Sequence, residues 1–310
     1  MPDKLSDIAT EAVDSPAAAL SAPPSRLALA LNEAQQEARD ALALADPVKA
    51  VHGVRKGFKR LRALLRLAGA ARERAVAQRA RASRRALAAI ARHLAQARDT
   101  AAREDALADL VAKAGLSAAA RRAASRAFAP AATPAADAGV GAHRAALEAE
   151  MARLGQALPR LGAALDDKAL LAALTAGYAR ARRAGRAADP QDDESLHELR
   201  KEIVAQRYQM ELVIHAWPTL GQMWVDQLQR LRDKLGKHHD LSVLRALAEA
   251  HPMRADGRPL WRAQLLAAIE ARQERLAHSA LLLHARLFAE KPRAFRRRLS
   301  AYMSAVSESK

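Results

Sequence analysis

The sequence predicts an all-α protein, and three observations carry that reading. Aromatic residues make up only 3% of the chain, and β-branched residues are scarce. Apolar residues recur at helical spacing over long stretches, and no stretch alternates as a half-buried strand would. Alanine and arginine, both good helix formers, dominate the composition.

The elements follow in order. Residues 1–24 are polar and Pro/Ala-rich and predict a disordered tail. Helices are expected at 26–45, 47–69, 72–99 and 101–128, with a break at Gly115. The stretch PAATPAADAGVG (130–141) reads as a linker between a first helical half (25–129) and a second (142–306). Further helices are expected at 142–158, 167–187, 190–216, 219–238, 241–250, 258–290 and 292–306. Asp46-Pro47 and Asp189-Pro190 each offer an N-cap and a first-turn proline. Ser195 with Glu198 is an alternative capping box, and Pro218, Pro252 and Pro292 mark other breaks.

Charge is the strongest compositional signal. Lys and Arg number 51 against 34 acids, a net charge of +17 over 310 residues, with a pI near 11.0. This balance implies attraction to polyanions: nucleic acid, phosphate polymers or an anionic membrane surface. The absence of cysteine excludes disulfides, thiolate catalysis and Cys-based zinc sites. No apolar run approaches the ~20 residues of a membrane span, so no membrane insertion is expected. The N-terminus carries early acids and no long apolar run, so no signal peptide is read and a cytoplasmic location is expected.

The two halves resemble one another. AVHGVRKGFKRLRALLRL (50–67) aligns without gaps on SLHELRKEIVAQRYQMEL (195–212). His52, Arg55, Lys56 and Arg62 then fall on His197, Arg200, Lys201 and Arg207. A second block follows each: HLAQARDTA (93–101) against KLGKHHDLS (234–242), with Asp99 on Asp240. Two repeated blocks in one order predict a duplication and a pseudo-twofold arrangement.

Within 47–69 the cations form a stripe. On a wheel of ~100° per residue, Arg55, Lys59, Arg62 and Arg66 lie within about 80° of His52, with Lys56 flanking on the other side. Acids are absent from Pro47 to Arg72. The stripe runs about 21 Å, at ~1.5 Å per residue. In the next helix Arg74, Arg81, Arg85 and Arg92 also share one line. A lone surface arginine is ordinarily a solvated helix former. A repeated stripe of like charge is instead held in register at a cost that an anion would offset.

These blocks resemble the CHAD domain, the conserved histidine α-helical domain. HGVRKGFKRLR and HELRKEIVAQR are similar to its first motif, H-x-x-R followed by spaced arginines; LGKHHDLSVL and the degraded LAQARDTA resemble its second. The resemblance implies two pseudo-symmetric four-helix bundles with a basic cleft or pore between them. It also implies binding of inorganic polyphosphate and association with polyphosphate granules and granule-associated proteins. The binding residues it suggests are His52, Arg55, Lys56, Lys59, Arg60, Arg62 and Arg66, with Arg81, Arg85 and Arg92 from the next helix. The second half would add His197, Arg200, Lys201, Arg207, Tyr208, Lys234 and His238. Val204 and Ala205 stand where the first half has Lys59 and Arg60, so an asymmetric site is expected.

The chemistry agrees with a phosphate polymer. Arg forks two donors onto phosphate oxygens, and Lys supplies a movable charge. Single-stranded nucleic acid would want aromatic platforms among the cations, and the stripes carry almost none. Duplex DNA, which needs only phosphate contacts, is the alternative. Early-turn His52 and His197 would donate to phosphate when protonated; otherwise each is a packing histidine bonded to a carbonyl. His238-His239-Asp240 is a weak metal set, because adjacent helical residues point apart. No metal or cofactor is expected. Asp99 and Asp240 are read as caps of a following helix or as partners that orient an arginine. GKHHD lacks the Ser/Thr of a P-loop, and no activating base for a phospho-accepting histidine is evident. A non-enzyme is expected, with a histidine-dependent polyphosphate enzyme as the further alternative.

Overall fold

The computed structural model describes residues 25–94, 99–129, 140–252 and 260–307. Among these residues all regular structure is helical. The helices are α1 (Arg26–Leu42), α2 (Pro47–Ala68), α3 (Arg74–His93), α4 (Asp99–Ala114), α5 (Ala118–Ala127) and α6 (Val140–Gly162). They continue with α7 (Asp167–Ala187), α8 (Asp193–Glu211), α9 (Pro218–Ala250), α10 (Leu260–Leu287) and α11 (Pro292–Ser307), with a 3₁₀ turn at Ile214–Ala216. The tail 1–24 and most of the expected linker, 130–139, lie outside the described residues.

Local chemistry sets most boundaries. Asp46 accepts from the amides of Val48 and Lys49, and Pro47 opens α2. Gly115, at φ 71°, turns the chain between α4 and α5, in a conformation an L side chain adopts only at a cost. α8 starts three residues later than expected, because Asp192 caps it and Pro190 lies in the preceding turn. Ser195 therefore falls in the first turn of α8, where its hydroxyl bonds the turn at Asp189 and Asp192 instead of forming a capping box.

The expected break between 238 and 241 is absent. α9 runs uninterrupted for 33 residues, and Leu235, His238, Leu241 and Leu244 form one buried line through it. Burial along that line outweighs the glycine at 236. Asp240 is thus mid-helix and caps nothing.

Each of α1, α2, α3 and α6 packs on the next, and α6 closes back on α1. The helices α7, α8, α9 and α10 make a second circuit in the same chain order. One apolar core runs through both, from Leu31, Phe58 and Leu64 to Tyr178, Leu199 and Leu231. α4 and α5 leave the first circuit and pack on α9 and α10. There Leu107, Leu110 and Phe128 share a separate core with Leu244, Leu265 and Ile269. The helices therefore do not sort by sequence half: α6 completes the first circuit, and α4 and α5 extend the second.

α2 is oriented from both sides. A Cβ at Gly57 would lie 2.8 Å from the Ala38 Cβ, so glycine lets α1 approach closely. α2 also packs on α8, where Ala63, Ala205 and Tyr208 make a small apolar contact. The Gln209 amide donates to the Ala63 carbonyl at 2.9 Å. With these sides fixed, the cationic stripe of α2 is left at the edge of the α2–α8 seam.

Candidate functional site

Two cavities adjoin along that seam. One, of about 380 Å³, is lined by Lys59, Arg62, Arg66 and Arg84 with Arg200, Lys201 and Glu202. The other, of about 310 Å³, is lined by Arg55, Lys59, Arg103, Arg200, His239 and Asp240, with Val243 and Leu247 as an apolar wall. Lys59 and Arg200 belong to both, which makes them one basic groove fed by α2, α3, α4, α8 and α9.

Arg62 and Arg84 are half-buried in this groove. Neither makes an ion pair among the described residues. Burial, then the charges of Arg66 and Arg92, holds the Arg62 guanidinium below its ordinary value. Burial, followed by Arg66, Arg62, Arg180 and Arg81, does the same to Arg84. Two neighbouring cations are thus kept partly out of water beside further cations, an arrangement that favours an entering anion.

One acid balances part of the groove. Glu202 receives both oxygens' bonds from Arg66 at 2.8 and 2.9 Å and holds Arg180 at 3.6 Å. Arg55 is fixed by donation to the Ala91 carbonyl at 2.9 Å, and Arg103 donates to the Phe128 carbonyl. Lys201, at the rim, pairs with Glu198.

His197 and His239 meet beside the second cavity, with ring centroids 4.6 Å apart. Burial, then Lys201 and Arg200, lowers the pKa of His197 against the opposing Glu194 and Glu198. Burial, then Arg200 and His197, lowers that of His239 against Asp240 and Asp193. The His197 Nδ1 is buried and has no hydrogen-bond partner among the described residues.

The other expected residues disperse. Arg60 turns toward α1 and α8, reaching Glu37 at 2.6 Å, Glu33 at 2.9 Å and Glu211 at 3.8 Å. Arg207 pairs with Glu211 at 3.1 Å and lies over the Tyr208 ring, so neither lines the groove. Tyr208 is only 7% exposed and offers no stacking platform. Lys234 donates to Ser279 on α10 at 3.1 Å. His238 is buried and faces Asp193, in a different cavity from His239. Arg81, Arg85 and Arg92 are exposed on α3, and Arg81 bonds the Gly69 carbonyl at 3.2 Å. Arg81 and Arg92 lie near enough to act on Arg84 and Arg62 respectively. His52 and Lys56 are exposed on the early turns of α2.

Arg84, Arg103, Glu202 and His239 line the groove but are not among the binding residues the resemblance suggests, and Arg180 reaches the groove through Glu202. Two signals existed. Arg84 sits between buried Ala80 and Leu87 on α3, at the edge of the packed face rather than on the outward line. His239 aligns on Arg98 in the repeated second block, a cationic position. Among the described residues no group of three or more His, Asp or Glu has a geometry that could hold a metal.

A helical scaffold that half-buries Arg62 and Arg84, without ion pairs among the described residues, along an inter-helix seam presents a cationic groove. The CHAD domain model matches residues 25–249, and the chain belongs to the CHAD domain family. Its fold is similar to that of PptA from Streptomyces chartreusis, with a TM-score of 0.57 and 21% identity. That alignment covers 86% of this chain and 100% of the other. No curated protein matches the chain.

Proposed function

We propose that the α2–α8 groove binds inorganic polyphosphate, without catalysis, and attaches the protein to polyphosphate granules in the cytoplasm. The observation that carries the reading is the pair Arg62 and Arg84, half-buried, adjacent and unpaired among the described residues. Family membership supports the choice of phosphate polymer. The groove-lining cations are Arg55, Lys59, Arg62, Arg66, Arg84, Arg103, Arg200 and Lys201. Each arginine fork engages two oxygens, and a linear polymer of phosphates can follow the seam from one cavity to the next. His197 and His239 would add donors when protonated beside the bound anion. Binding releases condensed counterions, so affinity falls steeply with added salt.

Competition between long-chain polyphosphate and duplex DNA at physiological salt tests the reading. Polyphosphate should displace the duplex at far lower phosphate concentration. Preference for the duplex would reverse the assignment. Incubation with polyphosphate and a divalent cation should leave chain length unchanged, and shortening would make the protein an enzyme.

A further inference from the structure

α11 carries four arginines between positions 293 and 298, and they have different fates. Arg298 turns inward. It donates to both Glu290 oxygens at 2.9 and 2.8 Å and lies over the Trp224 ring. Arg293, Arg296 and Arg297 turn outward, and none makes an ion pair among the described residues. They line a shallow surface groove with Ser300 and Ser304, and no carboxylate lines it. On the helical wheel this set spans about 100° of arc, and from Arg293 to Ser304 it runs about 16 Å at ~1.5 Å per residue.

The stripe is firmly mounted. On the opposite side of α11 Phe295 is 1% exposed and stacks on the Tyr178 ring with centroids 4.1 Å apart. Leu299 is buried beside it. α11 packs on α7 and the 3₁₀ turn. It shares no lining residue with the α2–α8 groove, and it lies beyond residues 25–249 that the family model matches.

We propose that the α11 stripe is a second phosphate-polymer site, so that one molecule holds polyphosphate at two separate places. This rests on the reading of the α2–α8 groove given above. Three arginine forks and two hydroxyls on one line offer only oxyanion-directed donors. No ring in the stripe can stack a base, as a single-strand surface needs. A membrane-surface helix needs its apolar side free to enter lipid, and here that side is buried in the protein's own core. A continuous row of phosphates fits what remains.

The test is calorimetric titration with short polyphosphate, in chains about as long as the stripe. The intact protein should bind two chains. R293Q/R296Q/R297Q should bind one, and R62Q/R84Q should bind one through α11. All three substituted α11 side chains are exposed, so helicity and melting temperature should match those of the intact protein. If R293Q/R296Q/R297Q still binds two chains, or the intact protein binds one that this variant leaves unaltered, the α11 site is disproved. If only R62Q/R84Q keeps both, the groove reading fails and the α11 site stands. The same variants are titrated with phosphatidylglycerol vesicles and with duplex DNA. Loss of either partner in the α11 variant, with two polyphosphate chains retained, would overturn the proposal in favour of that partner.

Discussion

The two sides of the α2–α8 seam hold the same residue types and differ in what faces them. On one side Arg60 and Arg207 meet Glu33, Glu37 and Glu211. On the other, Arg62 and Arg84 meet Arg66, Arg180 and Lys59, with Glu202 as the acid of that cavity. Arg60 and Arg62 are two residues apart on one helix, yet one closes an internal network and the other lines a groove without an acid of its own. The role of an arginine here is set by the acids on the neighbouring helix, not by its own sequence neighbourhood.

The largest way to break this comparison is on the groove side. R62Q/R84Q should weaken polyphosphate binding at the groove by about 100-fold, taking roughly 1.5 kcal/mol for each charge-assisted contact. Titration at fixed salt reads this directly, and a loss below threefold would place the anion elsewhere. The opposite side should respond in stability instead. R60Q leaves exposed Glu33 and Glu37 without their shared cation, while Glu211 keeps Arg207, at a cost of about 1 kcal/mol. Its melting temperature should fall by about 2–4 °C per kcal/mol, while the affinity of the folded protein for polyphosphate stays within twofold. A lowered affinity with an unchanged melting temperature would erase the distinction between the sides.

A smaller effect is expected at the acid between them. E202Q releases Arg66 and Arg180 from their pair. It should tighten polyphosphate binding several-fold, steepen the salt dependence by about one counterion, and lower the stability of the empty protein. Weaker binding would show that Glu202 holds the arginines in the binding geometry.

The smallest expected effect is on pH. His197 and His239 are held below the ordinary value of 6.5, chiefly by burial and then by neighbouring cations. The folded state therefore binds fewer protons than the unfolded chain, so their contribution to stability is present above about 6.5 and lost as pH falls through the folded values. A bound polyanion reverses the local field and raises both values, so binding takes up protons. Affinity should rise a few-fold as pH falls from about 7.5 to about 5.5, and H197Q/H239Q should flatten that rise. An affinity that falls toward acid pH would remove the histidines from the site.

The helical class and most of α2 were legible because periodicity and capping are local. The shared face of Arg55, Lys59, Arg62 and Arg66 follows from the 3.6-residue repeat, whereas the close α1 contact at Gly57 appears only in the packing. The continuity of α9 was not legible, since a polar HHD stretch looks like a break until its His238 is buried between Leu235 and Leu241. The fate of Arg60 was hidden for a different reason: its carboxylates come from α1 and from the end of α8, and only packing brings them together. Arg84 was missed because the outward line of α3 is the more regular cationic pattern, whereas a groove is lined from the boundary of a packed face. Adjacent His238 and His239 face different cavities, and only packing shows which one the groove receives.

The most direct measurement compares thermal shifts of two double variants of equal net charge, R62Q/R84Q and R122Q/R126Q. Arg122 and Arg126 are exposed on α5, away from the groove lining. A polyanion that binds only the folded state adds about 2.7 kcal/mol at a hundred times its Kd, so polyphosphate should raise the melting temperature of the intact protein by several degrees. R122Q/R126Q should keep that rise. R62Q/R84Q should lose the groove's share of it, keeping only what binding at α11 contributes, while melting at or slightly above the intact protein when empty, because burial and repulsion at those positions are relieved. Equal shifts in the two variants would contradict the account, and would make the attraction a diffuse property of the protein's charge rather than of the groove.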